Sequence, residues 1–443
     1  MATALELAIP EPSLVILVGA SGSGKSTFAR RHFRPTEVVS SDACRAMVVD
    51  DENDQSANAA AFAILHLIVA KRLAARRLTV VDATNVRGPA RARLRAIARD
   101  NDLPAIAIVF DLPDQVLLDR WAARTDRRMG ADVLAQQRDQ LRRSADGLRS
   151  GAFAAVHVLR SVGQVDAAAI RRDSLPVDLR VRSGPFDVIG DVHGCRSELA
   201  ALLGRLGWIL ERDAAGRATG GRHPGGRTAV FLGDLVDRGP DTPGVLRLAM
   251  GMVAAGAALC VEGNHEHKLG RAMAGDGPVS AGRARSLEQL GREPAEFRTQ
   301  VRAFLAGLDS HYLLAGGRLV VAHAGLPQRY HGRLSDRVRD FARYGKRIGT
   351  DEHGLPVRYS WAQDYAGEAM VVYGHTPVGD TRWVNNTLCI DTGCVFGGRL
   401  TALRYPEQEI VSVPAERVWF AARRPFPPGE ETPQAGTSRP AGT

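Results

Sequence analysis

The sequence predicts two α/β domains in tandem: a parallel-sheet domain built around a phosphate-binding loop, then an α/β sandwich. Three observations predict it. The first 160 residues alternate short β-rich runs with longer helical patterns, the mark of parallel strands joined by crossover helices. A glycine-rich loop, Gly19 to Thr27, lies between an apolar strand and a helical pattern. From Phe186 onward a second series mixes more numerous strands with fewer helices.

In the first series, Leu14–Gly19, Glu37–Ser40, Leu78–Asp82, Ala105–Asp111 and Ala155–Leu159 read as strands. Helical periodicity falls between them, at Lys25–His32, Asn58–Arg76, Pro89–Asp100, Asp114–Arg124 and Val133–Leu148. A break near Arg171–Ser183 separates a first domain of residues 1–172 from a second of 183–415. Strands of the second are Phe186–Gly190, Thr228–Leu232, Ala258–Glu262, Leu319–Ala322, Met370–Tyr373 and Thr387–Asp391. Helices are expected at Arg196–Leu206 and Thr242–Ala255. The end, 416–443, turns rich in Pro, Gly, Ser and Thr from Arg423 and is expected to be disordered.

At 443 residues, 44% hydrophobic and 24% charged, the composition excludes wholesale disorder and fibrous repeats. Apolar runs such as Met252–Val261 fall short of the roughly 20 residues a membrane span needs. The N-terminus lacks the basic, apolar and small-residue series of a secretion signal. Five cysteines without a CxxC pair favour a reducing compartment over disulfides or a zinc knuckle. A cytoplasmic protein without a membrane partner is therefore expected. Net charge is 58 − 49 = +9, and only four of the cations are lysines: Lys25, Lys71, Lys268 and Lys346. Arginine excess permits phosphate or nucleic-acid recognition, and GC-rich coding bias produces it equally well.

The Gly19–Thr27 stretch satisfies GxxxxGK[ST] in the context its mechanism requires, strand before and helix after. Gly19, Gly22 and Gly24 let the backbone wrap a polyphosphate, whose charge the N–H groups favour. Lys25 would pair with the outer phosphates, and Ser26, followed by Thr27, would hold Mg²⁺ with ATP. Asp42, at the end of the next strand, could take a proton from an attacking hydroxyl, with Arg45 one turn later on an acceptor phosphate. Asp42 could equally be a helix N-cap. Asp82 ends another apolar strand, where it orients metal or substrate or caps a helix. The run from Arg120 to Arg128, with Arg124 and Arg127 inside it, could be a mobile lid over the leaving group or a solvated basic helix.

Five short blocks follow, each where an apolar strand stops. They hold Asp191 and His193; Asp234, Asp237 and Arg238; Asn264, His265 and Glu266; His323; and His375. Mixed carboxylate, imidazole and amide donors suit Mn, Fe, Ni or Zn better than Mg alone. Two metals about 4 Å apart need a bridging carboxylate, and Asp234 is the natural candidate. Asp191 and His193 would complete one site, and Asn264, His323 and His375 the other. Arg238 and His265 would bind phosphate, and His265 would also protonate the leaving oxygen. The fold class is thus a P-loop parallel-sheet kinase domain followed by an α/β-sandwich metallophosphoesterase domain.

These blocks resemble the calcineurin-like metallophosphoesterase superfamily. The strings Phe186–Cys195, Phe231–Pro240 and Asn385–Gly398 look closer still to the bacterial polynucleotide kinase-phosphatases, which heal broken RNA ends. Their kinase module also carries a P-loop, a Ser-Ser-Asp-x-x-Arg segment and an arginine lid. The resemblance covers roughly residues 12 to 415. It implies a 5′-hydroxyl kinase joined to a phosphatase of 3′-phosphate or 2′,3′-cyclic phosphate ends, RNA before DNA, with Mn²⁺ as the phosphatase metal. It adds Asp391 as a catalytic helper. Longer members continue into a ligase module, so sealing here would fall to a separate ligase or not occur. A rival reading keeps both folds and changes the substrates: a small-molecule kinase fused to a phosphoprotein or dinucleoside polyphosphate hydrolase. A nucleotide-gated binding module conflicts with two complete sets of catalytic residues.

Overall fold

The computed structural model describes residues 5–123, 131–149, 151–352 and 354–422. The chain divides into two compact units, residues 1–175 with 333–335, and residues 176–332 with 336–443.

The first unit holds β1 (Leu5–Glu11), β2 (Leu14–Val18), β3 (Val38–Ser40), β4 (Thr79–Asp82), β5 (Ala105–Phe110), β6 (Ala155–Leu159) and β7 (Ala168–Ser174). Five of them form one sheet in the order β3-β4-β2-β5-β6, every pairing parallel. Each residue of β2 and β5 is buried, as a parallel sheet covered on both faces requires, so neither strand alternates polar with apolar. Helices Lys25–His32, Asn58–Ala74 and Gly88–Asp100 make the connections. The helix read as Val133–Leu148 is two, Ala131–Arg143 and Asp146–Arg149, parted where the Ser144 hydroxyl donates to the Gln140 carbonyl.

The expected break at Arg171–Ser183 begins inside a strand. β7 runs to Ser174 and pairs in parallel with β1, from Leu5 opposite Ala168 to Glu11 opposite Ser174. An arginine masked it: Arg172 stands where an apolar residue would betray a strand, and its guanidinium grips both Glu37 oxygens at 2.9 Å. The apolar-run reading needs correction too. Gln55–Ala74 is long and apolar enough to cross a membrane by length and composition. Here one stripe of that helix, Ala61, Leu65, Val69 and Leu73, is fully buried in the domain.

The second unit contains β8 (Phe186–Ile189), a hairpin of β9 (Ile209–Arg212) and β10 (Ala218–Arg222), then β11 (Thr228–Phe231) and β12 (Ala258–Cys260). Next come β13 (His311–Leu314), β14 (Leu319–Ala322), a hairpin of β15 (Arg347–Thr350) and β16 (Pro356–Arg358), and β17 (Met370–Tyr373). The series closes with β18 (Trp383–Val384), β19 (Thr387–Cys389), β20 (Arg399–Tyr405) and β21 (Glu409–Pro414). Two five-stranded sheets, β12-β11-β8-β20-β21 and β13-β14-β17-β19-β18, face each other. Phe186, Val188 and Val230 of one pack with Leu314, Val321 and Val372 of the other in a single core. Helices Arg196–Arg205 and Thr242–Ala254 cover the outer face of the first sheet through Leu199, Leu203, Leu246 and Met252. This is the expected sandwich.

β8, β11 and β12 run parallel, as do β14, β17 and β19. Their carboxyl ends are the places where functional side chains gather. The expected domain limit at 415 falls short of the packed structure, because the Glu416 N–H and the Trp419 indole both donate to Glu198 Oε1, at 3.1 and 2.7 Å. The rest of the expected disordered tail, 423–443, lies outside the described residues.

Candidate functional site

In the first unit, β2 delivers Gly19, Gly22, Gly24, Lys25, Ser26 and Thr27 at its carboxyl end. Gly22 and Gly24 take φ of 81° and 96°, the left-handed region that a side chain would strain. Lys25 is buried and donates to the Ala20 carbonyl at 2.8 Å and to Ser23 Oγ at 3.3 Å. Asp82, ending β4, accepts a hydrogen bond from Ser26. Burial raises its pKa, and the nearby charge of Asp42 adds to the rise while Lys25 opposes it. So Asp42, Asp82, Lys25 and Ser26 converge.

Asp42 is not the helix cap. Ser40 Oγ caps that helix, accepting from the backbone N–H groups of Asp42 and Ala43. Arg45 is committed inside the fold. It pairs with Asp42, donates through Nε to the Glu52 carbonyl at 2.7 Å, and reaches Asn58 Oδ1 at 2.9 Å. In this arrangement it orients Asp42, and a grip on an acceptor phosphate would require exchanging those bonds. Arg124 and Arg127 lie outside the described residues. Arg120, the first arginine of the expected lid run, donates to the Gly22 carbonyl at 3.3 Å, and Gln137 Oε1, which had no local signal, accepts from the Ser21 N–H at 2.8 Å.

In the second unit, Asp191 follows β8, Asp234 follows β11, Asn264 and His265 follow β12, His323 follows β14, His375 follows β17 and Asp391 follows β19. Two groups of donor atoms come within 4.8 Å of one another: His193, Asp234 and His265, and Asp234, His323 and His375. Asp234 belongs to both. His323 Nε2 lies 3.3 Å from Asp234 Oδ1, and His193 Nε2 3.5 Å from Oδ2. A carbonyl fixes each ring, Leu232 O for His323 Nδ1 at 3.0 Å and Val236 O for His193 Nδ1 at 2.8 Å. Carbonyls accept, so Nδ1 carries the proton and the neutral ring turns its Nε2 lone pair toward Asp234.

Beside Asp234, His323 Nε2 also meets His375 Nδ1 at 2.9 Å and His193 Nε2 meets Arg238 at 2.6 Å, a crowding of donor atoms that a divalent cation would suit. Three more ligand atoms, Asp191 Oδ1, Asn264 Oδ1 and His375 Nε2, are buried without a hydrogen-bond partner. This donor set fits divalent metals, and Asp234 would serve both groups. Of the expected ligands, His193, Asp234, His323 and His375 fall in these groups, His265 stands where Asp191 was expected, and Asp191 and Asn264 contribute the unpartnered oxygens.

Protonation follows the same logic. Burial holds His193, His323 and His375 below the ordinary imidazole range, and Arg238 adds to this at His193. Burial works to raise Asp234, and any of the surrounding histidines that carries a proton pulls it well below the usual carboxylate range. Asp191 is pushed up by burial and by its acidic neighbours Asp391 and Asp234, and Asp391 itself, chiefly through burial, to about 6.

Arg238 bridges two rings, donating to His193 Nε2 at 2.6 Å and His265 Nε2 at 2.9 Å. Two positioning residues sit inside the quoted blocks yet gave no sign of their roles. Asp237 Oδ2 accepts from His265 Nδ1 at 2.7 Å. Glu266, fully buried, accepts from the backbone N–H groups of Asp234 at 2.6 Å and Leu235 at 2.8 Å. The loops are strained as a result. Five of the twelve described non-glycine residues at positive φ are His193, Asp234, Asp237, Arg238 and His375, all at this site. Gly374 precedes His375 because a Cβ there would lie 2.1 Å from Asp191 Oδ1. Spacing also hid a third buried donor group, Cys195, Glu198 and Cys394.

Residues 184–407 match the calcineurin-like phosphoesterase family, and residues 14–148 match the AAA domain family. The bis(5′-nucleosyl)-tetraphosphatase PrpE [asymmetrical] of Anoxybacillus flavithermus is 42% identical over 249 residues, 54% of this chain and 99% of the relative. Its namesake in Geobacillus thermodenitrificans is 43% identical over 236 residues, covering 52% and 94%. That of Bacillus subtilis is 42% identical over 245 residues, covering 54% and 98%.

Proposed function

This chain belongs to the calcineurin-like phosphoesterase family, and we propose that its second half is a metal-dependent hydrolase of dinucleoside polyphosphates, carried in one chain with a P-loop phosphotransferase. The observation that carries this reading is the sharing of Asp234 by two donor groups, in a half that is 42% identical to a tetraphosphatase along 99% of that relative's length. Metals held by Asp191, His193 and Asp234, and by Asp234, Asn264, His323 and His375, would supply Lewis acidity and a water of lowered pKa. Arg238 binds the phosphoryl oxygens of the attacked group. His265, its ring held by Asp237 at 2.7 Å, would take up a proton at Nε2 once the phosphate draws Arg238 away and pass it to the leaving oxygen. Water adds to one phosphorus and loses its proton to solvent, the P–O anhydride bond breaks with its electron pair going to the leaving phosphate oxygen, and the two nucleotides separate.

Hydrolysis of dinucleoside tetraphosphate with Mn²⁺, its products resolved by chromatography, tests the reading. One nucleoside triphosphate and one monophosphate are expected, and an intact substrate alongside active aryl phosphate hydrolysis would refute it. His265→Ala separates acid from binding roles. Release of an alkyl phosphate ester should fall by roughly two orders of magnitude, and that of an aryl phosphate much less, since only the alkoxide needs the proton. Equal losses would leave His265 as a phosphate contact only.

A second reading, repair of nucleic-acid ends with RNA preferred over DNA, is favoured by the first half. Asp42, paired with Arg45 and, like Lys25, close enough to Asp82 to act on its charge, would accept the proton of an attacking hydroxyl. A 5′-hydroxyl kinase and a 3′-phosphatase would then share one substrate. Asp42→Asn should leave ATP binding intact and slow phosphate transfer by roughly two orders of magnitude. An oligonucleotide bearing 5′-hydroxyl and 3′-phosphate ends, given ATP and Mn²⁺, distinguishes the readings. Changes at both ends faster than tetraphosphate cleavage would favour repair.

A further inference from the structure

We propose that Lys268, set with Tyr344 and Arg358 on the rim of the phosphoesterase site, forms a subsite for phosphates beyond the one under attack and so selects polyphosphate chains over lone phosphate esters. The proposal rests on the hydrolase reading above and adds to it the residue that recognises the substrate class.

Lys268 lies four residues after Asn264 in the helix Asn264–Met273. That spacing puts both on one helix face, with a rise of about 6 Å between them. Asn264 presents a buried, unpartnered ligand oxygen, so Lys268 stands one turn out from the metal cradle. Its ammonium is half-buried, 5.2 Å from the centroid of the Tyr344 ring. Arg358 Nε donates to the Tyr344 carbonyl at 2.7 Å, which fixes that end of the rim.

The local field is cationic. Burial pushes the Lys268 ammonium down; Asp234 opposes this, and the guanidiniums of Arg283, Arg238 and Arg358 push it further the same way. All three guanidiniums are engaged, Arg358 with the Tyr344 carbonyl. Arg238 is bound to two histidines, and Arg283 donates to the Pro278 carbonyl at 2.7 Å with its Nε 3.6 Å from Asp237. Among the described residues Lys268 has no carboxylate within ion-pair distance. An ammonium held partly out of water, amid like charges and without an internal counter-ion, is stabilised by an incoming polyanion.

A lone ester delivers its charge to Arg238 and the metals and has none left for the rim. A tetraphosphate chain carries several more phosphates, one of which can meet Lys268. Lysine suits that task as a point charge free to follow a flexible chain. Only four lysines occur among 58 cationic residues, and two of them, Lys25 and Lys268, stand at the two phosphate sites.

Competition against aryl phosphate hydrolysis tests this, with free Mn²⁺ buffered and inorganic tripolyphosphate or orthophosphate as inhibitor. In Lys268→Ala, inhibition by tripolyphosphate should weaken about tenfold, equivalent to roughly 1.4 kcal/mol, and inhibition by orthophosphate less than about threefold. Lys268→Arg should restore most of the difference. A shift by the same factor for both inhibitors, or for neither, would overturn the rim assignment. Dinucleoside tetraphosphate given to the unaltered protein decides separately: no cleavage there defeats the hydrolase reading, while the rim stands or falls on the inhibition constants.

Discussion

Asp234→Asn is expected to lower phosphoester hydrolysis by roughly three orders of magnitude or more, the scale on which groups acting as a unit are lost. The substitution keeps the shape of the side chain and removes the charge that both donor groups share. Without it, His193 and His323 would still turn their Nε2 lone pairs inward, held there by Val236 O and Leu232 O. Two cations would then face each other without the carboxylate that lets them lie close. The loop itself should survive, because Glu266 grips the backbone N–H of residue 234 at 2.6 Å, whichever side chain it carries. Hydrolysis of aryl phosphate, with circular dichroism to confirm the fold, reads the outcome. Loss within tenfold would make Asp234 a ligand to one metal at most.

Lys25→Ala should remove phosphate transfer by the first half, by roughly three orders of magnitude, as expected when a cation is taken from a transferring phosphoryl group. Hydrolysis by the second half should continue. The ammonium donates to the Ala20 carbonyl at 2.8 Å, so the truncation deletes an internal contact as well as a charge. Melting temperature should be followed alongside activity for that reason. Loss of both activities in a folded protein would contradict two separate sites.

The chemistry of the two sites was legible because it is local. Each block joins a short apolar strand to a turn rich in ligands, and a strand end points its loop to one edge whatever the rest of the chain does. Asp191, Asp234, His323 and His375 need no more than that to be placed together. The supports were not legible, since they act across tens of residues. Glu266 holds backbone 32 residues earlier, and Asp237 orients a ring 28 residues later. Arg172 hid a strand by pairing with Glu37, and Arg45 turned out to serve Asp42. Substrate class was hidden for a different reason. The blocks bind the phosphorus under attack, which is alike in an RNA end and a polyphosphate, whereas discrimination falls to rim residues such as Lys268 that belong to no motif.

Mn²⁺ titration without nucleotide, followed by electron paramagnetic resonance, tests the shared carboxylate most directly. Two Mn²⁺ per chain with a spin-coupled signal are expected, replaced in Asp234→Asn by uncoupled or weaker binding. One Mn²⁺ per chain, or two with separate mononuclear signals in the unaltered protein, would contradict a bridging Asp234.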